Sequence, residues 1–323
     1  MAHKSSQQSA PRKKSHLDTA NYSGSEIEPY NPDPAFDYFT YGPYTDIAYG
    51  RTKRTKTRVL VKVWRLRVRD DYKGAQNVTK ALRRALKTWD RAARTCPNIS
   101  PFLGLTEGFN QALPSLAMNR YKEGNASEYL RKHTELDPYP LVHAIANAVH
   151  FLHTQSPPII HGSLWGNNIL ISDQGSPLLT DIGLWRLETH PIIYSEHDSL
   201  HKSRWMASEL IDPRITEVDG GVINEPDTRS DVYSFGMTAL ELLTRRPPFS
   251  HFKRSVVVIG AVSQGKRPLR HTCPEVEYDE VWRILESCWE HYPSRRPSIG
   301  TVCLQLNVFA ASGKKRWCCG RSA

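Results

Sequence analysis

A two-lobed α+β protein is the architecture this sequence predicts, and three observations carry it. The first third alternates short apolar runs with turns, the remainder reads as amphipathic or buried helices, and no internal repeat divides the 323 residues. That length allows one large domain or two small ones, with ample material for a core.

Residues 1–34 are rich in Ser, Gln, Lys, Asn and Pro, almost without aliphatics, and read as a disordered arm. Structure is expected from near Phe36. There Phe36, Tyr38, Phe39, Tyr41, Tyr44 and Tyr49 stand among small and polar residues, a composition that suits strands. The run Arg58-Val59-Leu60-Val61-Lys62-Val63-Trp64 predicts a strand around a single lysine, with Gly50 serving the turn that leads into it. Val78, Leu82, Ala85, Leu86 and Trp89 fall at helical spacing and predict a helix over 77–93. Short strands follow over 98–109 and 114–118, then a glycine-containing connection at 121–125 and a short helix at 127–132. Leu141, Ile145, Val149 and Leu152 mark an amphipathic helix over 141–153, stopped by Ser156-Pro157-Pro158. Residues 231–244 are apolar nearly all round, which predicts a helix buried on every side. Residues 255–310 read as helices separated by Pro-containing loops.

Composition is that of an ordinary globular protein. The longest apolar run, 256–262, is far too short to span a bilayer. The first residues lack the apolar core of a signal peptide, so a cytoplasmic setting is expected. Six cysteines show no metal-ligand spacing, and no disulfide framework is expected. Of the net charge of +10, residues 1–14 and 314–321 contribute four units each, which leaves +2 for the body. The basic run from Arg51 to Arg69 fits a solvated strand edge, and no nucleic-acid partner is expected.

Residues 157–184 read PPIIHGSLWGNNILISDQGSPLLTDIGL. Ile169-Leu170-Ile171 and Leu178-Leu179 flank an Asp173-Gln174-Gly175-Ser176 turn signal, so this stretch predicts a small hairpin whose ends deliver polar residues to one place. His161 and Asn167-Asn168 precede it, and Asp181-Ile182-Gly183 follows. Further on come Arg204-Trp205-Met206-Ala207-Ser208-Glu209, Ser230-Asp231-Val232-Tyr233-Ser234-Phe235-Gly236, Cys288-Trp289, Pro293 and Arg295-Arg296-Pro297.

This ordered set, over about residues 36–310, resembles the eukaryotic protein kinases, nearest the tyrosine-kinase-like group. The resemblance implies a two-lobed protein-kinase-like fold with a small β-rich N-lobe over 35–118 and a large helical C-lobe over 119–310. It implies that Glu209 pairs with Arg296 and that Asp231 holds the catalytic-loop backbone. It makes Lys62 the strand lysine for nucleotide phosphates, and Asn168 and Asp181 the magnesium ligands. It places Gly42, Ile47, Leu60, Met118 and Leu170 at nucleotide-binding positions.

The same alignment shows what the chain lacks. Ser163 stands in place of the catalytic aspartate, Trp165 in place of the following lysine and Gly162 in place of the arginine. Serine is not a base at neutral pH, and such a base contributes about 10²–10⁴-fold. Thr40, Gly42 and Thr45 occupy the three glycine positions of the phosphate loop. Ala85 takes the place of the glutamate that should hold Lys62, and residues 78–89 carry no acid. Leu60 narrows the adenine slot.

These departures predict a pseudokinase acting as a signalling scaffold or allosteric partner of other signalling proteins or of an active kinase, with ATP and magnesium binding weak or absent. The alternative is an active or weakly active serine/threonine kinase that uses Lys62, Asn168 and Asp181 with a relocated base. The tail over 311–323, with Lys314, Lys315, Arg316, Trp317 and Cys318-Cys319, reads as a solvated basic segment. The other reading is an acylated anchor at an anionic membrane.

Overall fold

Alternation along one strand sets the small lobe. β4 (Arg58–Trp64) buries Val59, Val61 and Val63 on one face and turns Leu60, Lys62 and Trp64 to the other. The computed structural model describes residues 27–30, 40–41, 44–66, 72–109, 113–193, 197–212, 214–215 and 225–312. Within these, β4 lies mid-sheet between β3 (Thr45–Thr52) and β6 (Ser115–Asn119), antiparallel to both. The strand order is β1-β3-β4-β6-β5, with β1 at Ile27–Pro29 and β5 at Phe102–Thr106, and β2 (Thr40–Tyr41) also pairs with β3. Val59, Val61 and Val63 join Ile27, Ala48 and Ala117 in a small outer cluster. The opposite face shares one core with α1 (Tyr72–Thr95), whose Val78, Leu82, Leu86 and Trp89 are buried.

Three expectations for this lobe are corrected. Residues 27–29, assigned to a disordered arm, form the edge strand β1. Ile27 finds an apolar slot beside Ala48 and Val59, and Glu28 pairs with Arg51 and Lys56. Gly50 is not a turn residue. It sits inside β3 where β1 crosses, and a Cβ there would lie 3.0 Å from methyl groups of both Ile27 and Val61. The α1 helix is longer than its apolar spacing suggested and runs through Gly74. Phe36, Tyr38, Phe39, Gly42 and the tail 313–323 lie outside the described residues.

The large lobe is built on α6 (Thr228–Thr244), which buries 14 of its 17 residues, polar ones included. A helix buried to that degree needs partners for most of its polar groups. Asp227 caps it, accepting from the Arg229 and Ser230 amides while Ser230 Oγ closes a capping box. Around α6 pack α3 (Tyr139–His153) and α8 (Asp279–Cys288), and α9 (Ile299–Ala311) covers α3. α2 (Ala126–Lys132) packs on α6 and on β7 (Ile169–Ile171), which pairs with β8 (Pro177–Leu179), and α4 (Trp185–Glu188) packs against α1 of the small lobe. α5 (Ser208–Ile211) and α7 (Ser255–Ser263) complete it. No helix among the described residues is long and apolar enough to cross a membrane.

The buried pair expected between Glu209 and Arg296 is present as a bidentate fork, with Nη1 and Nη2 donating at 2.7 and 2.6 Å to the two carboxylate oxygens. Beside this pair, Ser208 donates its hydroxyl to the His291 carbonyl at 3.0 Å and accepts from Arg267 at 3.3 Å.

Candidate active site

The loop 161–168 carries the residues that the hairpin was expected to deliver, and α6 holds it by the backbone. The Asp231 carboxylate accepts from the amides of His161 and Gly162, each at 2.8 Å, and from His153 Nε2 at 3.0 Å. Thr238 donates to the Leu164 carbonyl, and Glu241 accepts from the Gly166 amide at 3.0 Å. Glu241 also accepts from Ser127 Oγ at 2.5 Å and Trp205 Nε1 at 2.9 Å. Burial nevertheless pushes its carboxyl above the ordinary glutamate value. His161 is packed in the core and accepts from the Ser163 amide; burial pushes its imidazole below the usual histidine value. Gly162 adopts φ +73°, and a Cβ there would fall 2.0 Å from the Trp185 ring. Glycine therefore lets Trp185 close over the loop where a larger residue was expected.

Strand register assembles the other wall. Ile47 pairs with Lys62 and Leu60 with Met118, so all four share the sheet face that looks toward the large lobe. Leu170 lies opposite on β7 and bridges to Asn125. With no glutamate at Ala85, Lys62 meets another carboxylate. Its ammonium pairs directly with Asp181 Oδ2, and the two side chains are only 12% and 7% exposed. Asp181 stands at φ +64°, and its Oδ1 is buried with no hydrogen-bond partner among the described residues. The helix offers nothing in between: a Cβ on Gly183 would lie 3.9 Å from the Ala85 methyl. Ala85 thus fills the place where a glutamate would compete for Lys62.

Ser163 is surrounded by donors. Its hydroxyl accepts from Lys202 Nζ at 3.0 Å and from Asn168 Nδ2 at 3.4 Å, and Asn168 also donates to the Ser163 carbonyl at 2.8 Å. Lys202 in turn pairs with Glu188 at 2.7 Å and lies 4.9 Å from the centre of the Tyr44 ring. Burial, with the Glu188 charge adding to it, pushes the Tyr44 hydroxyl up to about 12. Trp165 is buried and packs with Trp205 and His201, at 5.2 and 6.1 Å between ring centres. Lys202, Glu188 and Trp185 were not foreseen. They lie in a segment with no strong periodicity, and their partners are 14 to 39 residues away in sequence.

Magnesium held together with phosphates needs few protein ligands, commonly one or two carboxylates. Asp181 Oδ1 and the Asn168 amide oxygen are hard donors that fit such an ion. When bound, it would neutralise phosphate charge. Among the described residues no group of three or more His, Cys, Asp or Glu side chains converges as a metal site of its own.

The protein tyrosine and serine/threonine kinase family model matches residues 38–306. Among similar proteins, serine/threonine-protein kinase CTR1 of Arabidopsis thaliana is 29% identical over 215 residues, 64% of this chain and 24% of that protein. Serine/threonine-protein kinase STY17 of the same plant is 26% identical over 216 residues, 65% of this chain and 34% of that protein. Mitogen-activated protein kinase kinase kinase 10 of Mus musculus is 32% identical over 205 residues, 59% of this chain and 20% of that protein. The chain therefore spans about a fifth to a third of the length of these relatives. With the family model covering most of the chain and these relatives in the tyrosine-kinase-like group, the chain belongs to the protein kinases, in that group.

Proposed function

We propose that this kinase domain is a pseudokinase, a signalling scaffold or allosteric partner that binds other signalling proteins or an active kinase without efficient phosphate transfer. The observation that carries the reading is the ammonium of Lys202 on Ser163. At the position of the family's base stands a hydroxyl that already accepts from a cation, and that ammonium, ion-paired with Glu188, has no lone pair with which to take a proton.

The nucleotide side supports the same reading. Entry of Mg-ATP requires Lys62 to leave Asp181, and no carboxylate on α1 is positioned to hold it once it has moved. Nucleotide binding is accordingly weak or absent. A weakly active serine/threonine kinase is the second reading, favoured by the retained Lys62, Asn168 and Asp181 and by the buried Asp181 Oδ1, which has no hydrogen-bond partner among the described residues.

The test is phosphate transfer from labelled ATP with magnesium or manganese, by the purified chain, to itself and to a generic substrate. Transfer is expected to be undetectable or at least about a hundredfold below a related active kinase. Autophosphorylation on the order of one per second, abolished by Asp181→Ala, would establish the second reading instead.

A further inference from the structure

The far end of the β3–β4 hairpin, away from the interlobe cleft, is a cationic turn that the kinase chemistry does not use. Residues 51–58 read RTKRTKTR, five basic side chains and three threonines, and residues 53–58 are all exposed. The turn is locked from within. Thr57 N–H donates to Thr52 Oγ1 at 3.0 Å, and Thr55 Oγ1 lies 2.5 and 2.8 Å from the hydroxyls of Thr52 and Thr57. The backbone closes at Thr52 and Lys56, the latter at φ +53°. Among the described residues Glu28 is the one carboxylate paired with these cations, and it takes two of the five, Arg51 at 2.6 Å and Lys56 at 3.0 Å. Lys53 and Arg54 have no ion-pair partner among the described residues.

We infer that this turn is a docking surface for an acidic stretch of a protein partner. Lys, Arg and Thr side chains match carboxylates or phosphorylated side chains in charge and in hydrogen bonding. The tip has no apolar side chain to enter a bilayer. Its one nearby ring, Tyr30, already lies under Arg51 and Arg58, both 5.4 Å from its centre, and is not open to stack on a base. The surface is independent of the cleft, so the inference stands whether or not the cleft transfers phosphate.

The test is fluorescence anisotropy of a labelled oligoglutamate peptide with the full chain. Binding is expected to weaken at least about tenfold between about 50 and 200 mM salt. It is expected to fall at least about tenfold again in Lys53→Glu/Arg54→Glu, while Lys314→Ser/Lys315→Ser/Arg316→Ser binds as the parent does. Because Lys53 and Arg54 are exposed, the melting temperature should not change. If it does, Lys53→Ser/Arg54→Ser is read in its place. Absence of binding overturns the inference, as does an equal loss in the tail variant. Tighter binding to single-stranded RNA or phosphatidylserine vesicles, with the same dependence on Lys53 and Arg54, assigns the surface to a different partner and also overturns it.

Discussion

Lys202 reaches back across the mouth of the cleft and sets its ammonium 3.0 Å from the Ser163 hydroxyl while paired with Glu188 at 2.7 Å. One side chain thus ties the segment before Trp205 to the loop 161–168 and to α4. Both partners of the ion pair are largely buried, at 11% and 15% exposed. Lys202→Ala leaves Glu188 without its cation and should cost about 1–3 kcal/mol in urea unfolding. It should not create kinase activity, because removing a cation does not supply a base.

Ser163→Asp puts a carboxylate beside Lys202 but leaves Ala85 opposite Gly183 and Lys62 on Asp181. Phosphate transfer is expected to stay at least about a hundredfold below a related active kinase. Recovery to within about tenfold in a labelled-ATP assay would show that the base was the only missing part.

The Lys62–Asp181 pair should behave as a coupled unit. Lys62→Ala strands a carboxylate that is almost wholly buried and should destabilise the fold by about 3–5 kcal/mol. The double variant Lys62→Ala/Asp181→Ala should lose less than the sum of the single losses, with a coupling of about 1–3 kcal/mol by denaturant titration. Strict additivity would mean that the two side chains do not depend on each other.

Mg-ATP at about 0.1 mM should raise the melting temperature by less than about 2 °C, since ligand at 100 times its dissociation constant gives about 2.7 kcal/mol, a shift of several degrees. A shift of that size, lost in Lys62→Ala, would show that the ion pair opens for nucleotide at little cost.

His161 gives the fold a pH dependence of known sign. Its folded value lies below 6.5, chiefly because of burial, so the unfolded chain binds the extra proton first as pH falls. Its contribution is fully present above about pH 6.5 and is lost as pH falls toward the folded value, by at most about 1.4 kcal/mol per pH unit. The stability difference between the parent and His161→Gln should therefore shrink as the pH is lowered below about 6.5. A difference independent of pH from 7 to 5 would place that proton elsewhere.

The fold was legible because its signals are local or ordered along the chain. Apolar spacing located α1, α3 and α6, the turn at Asp173-Gln174-Gly175-Ser176 located β7–β8, and the Arg204–Glu209 and Arg295–Pro297 runs foretold a pair 87 residues apart. The missing base, glutamate and glycines were equally readable, because an absence of carboxylate or glycine is a property of composition. What only the tertiary structure decided was who fills the gaps. Lys62 turned to Asp181, 119 residues away, once α1 presented a methyl group in place of a carboxylate. Ser163 met Lys202, and Gly162 made room for Trp185. Ile27 found its slot on an edge strand that no periodicity announced, because three residues are too few to show one. Buried charges and open backbone groups seek whatever partner the packed chain brings within reach, and that distance is set by the fold rather than by separation in sequence.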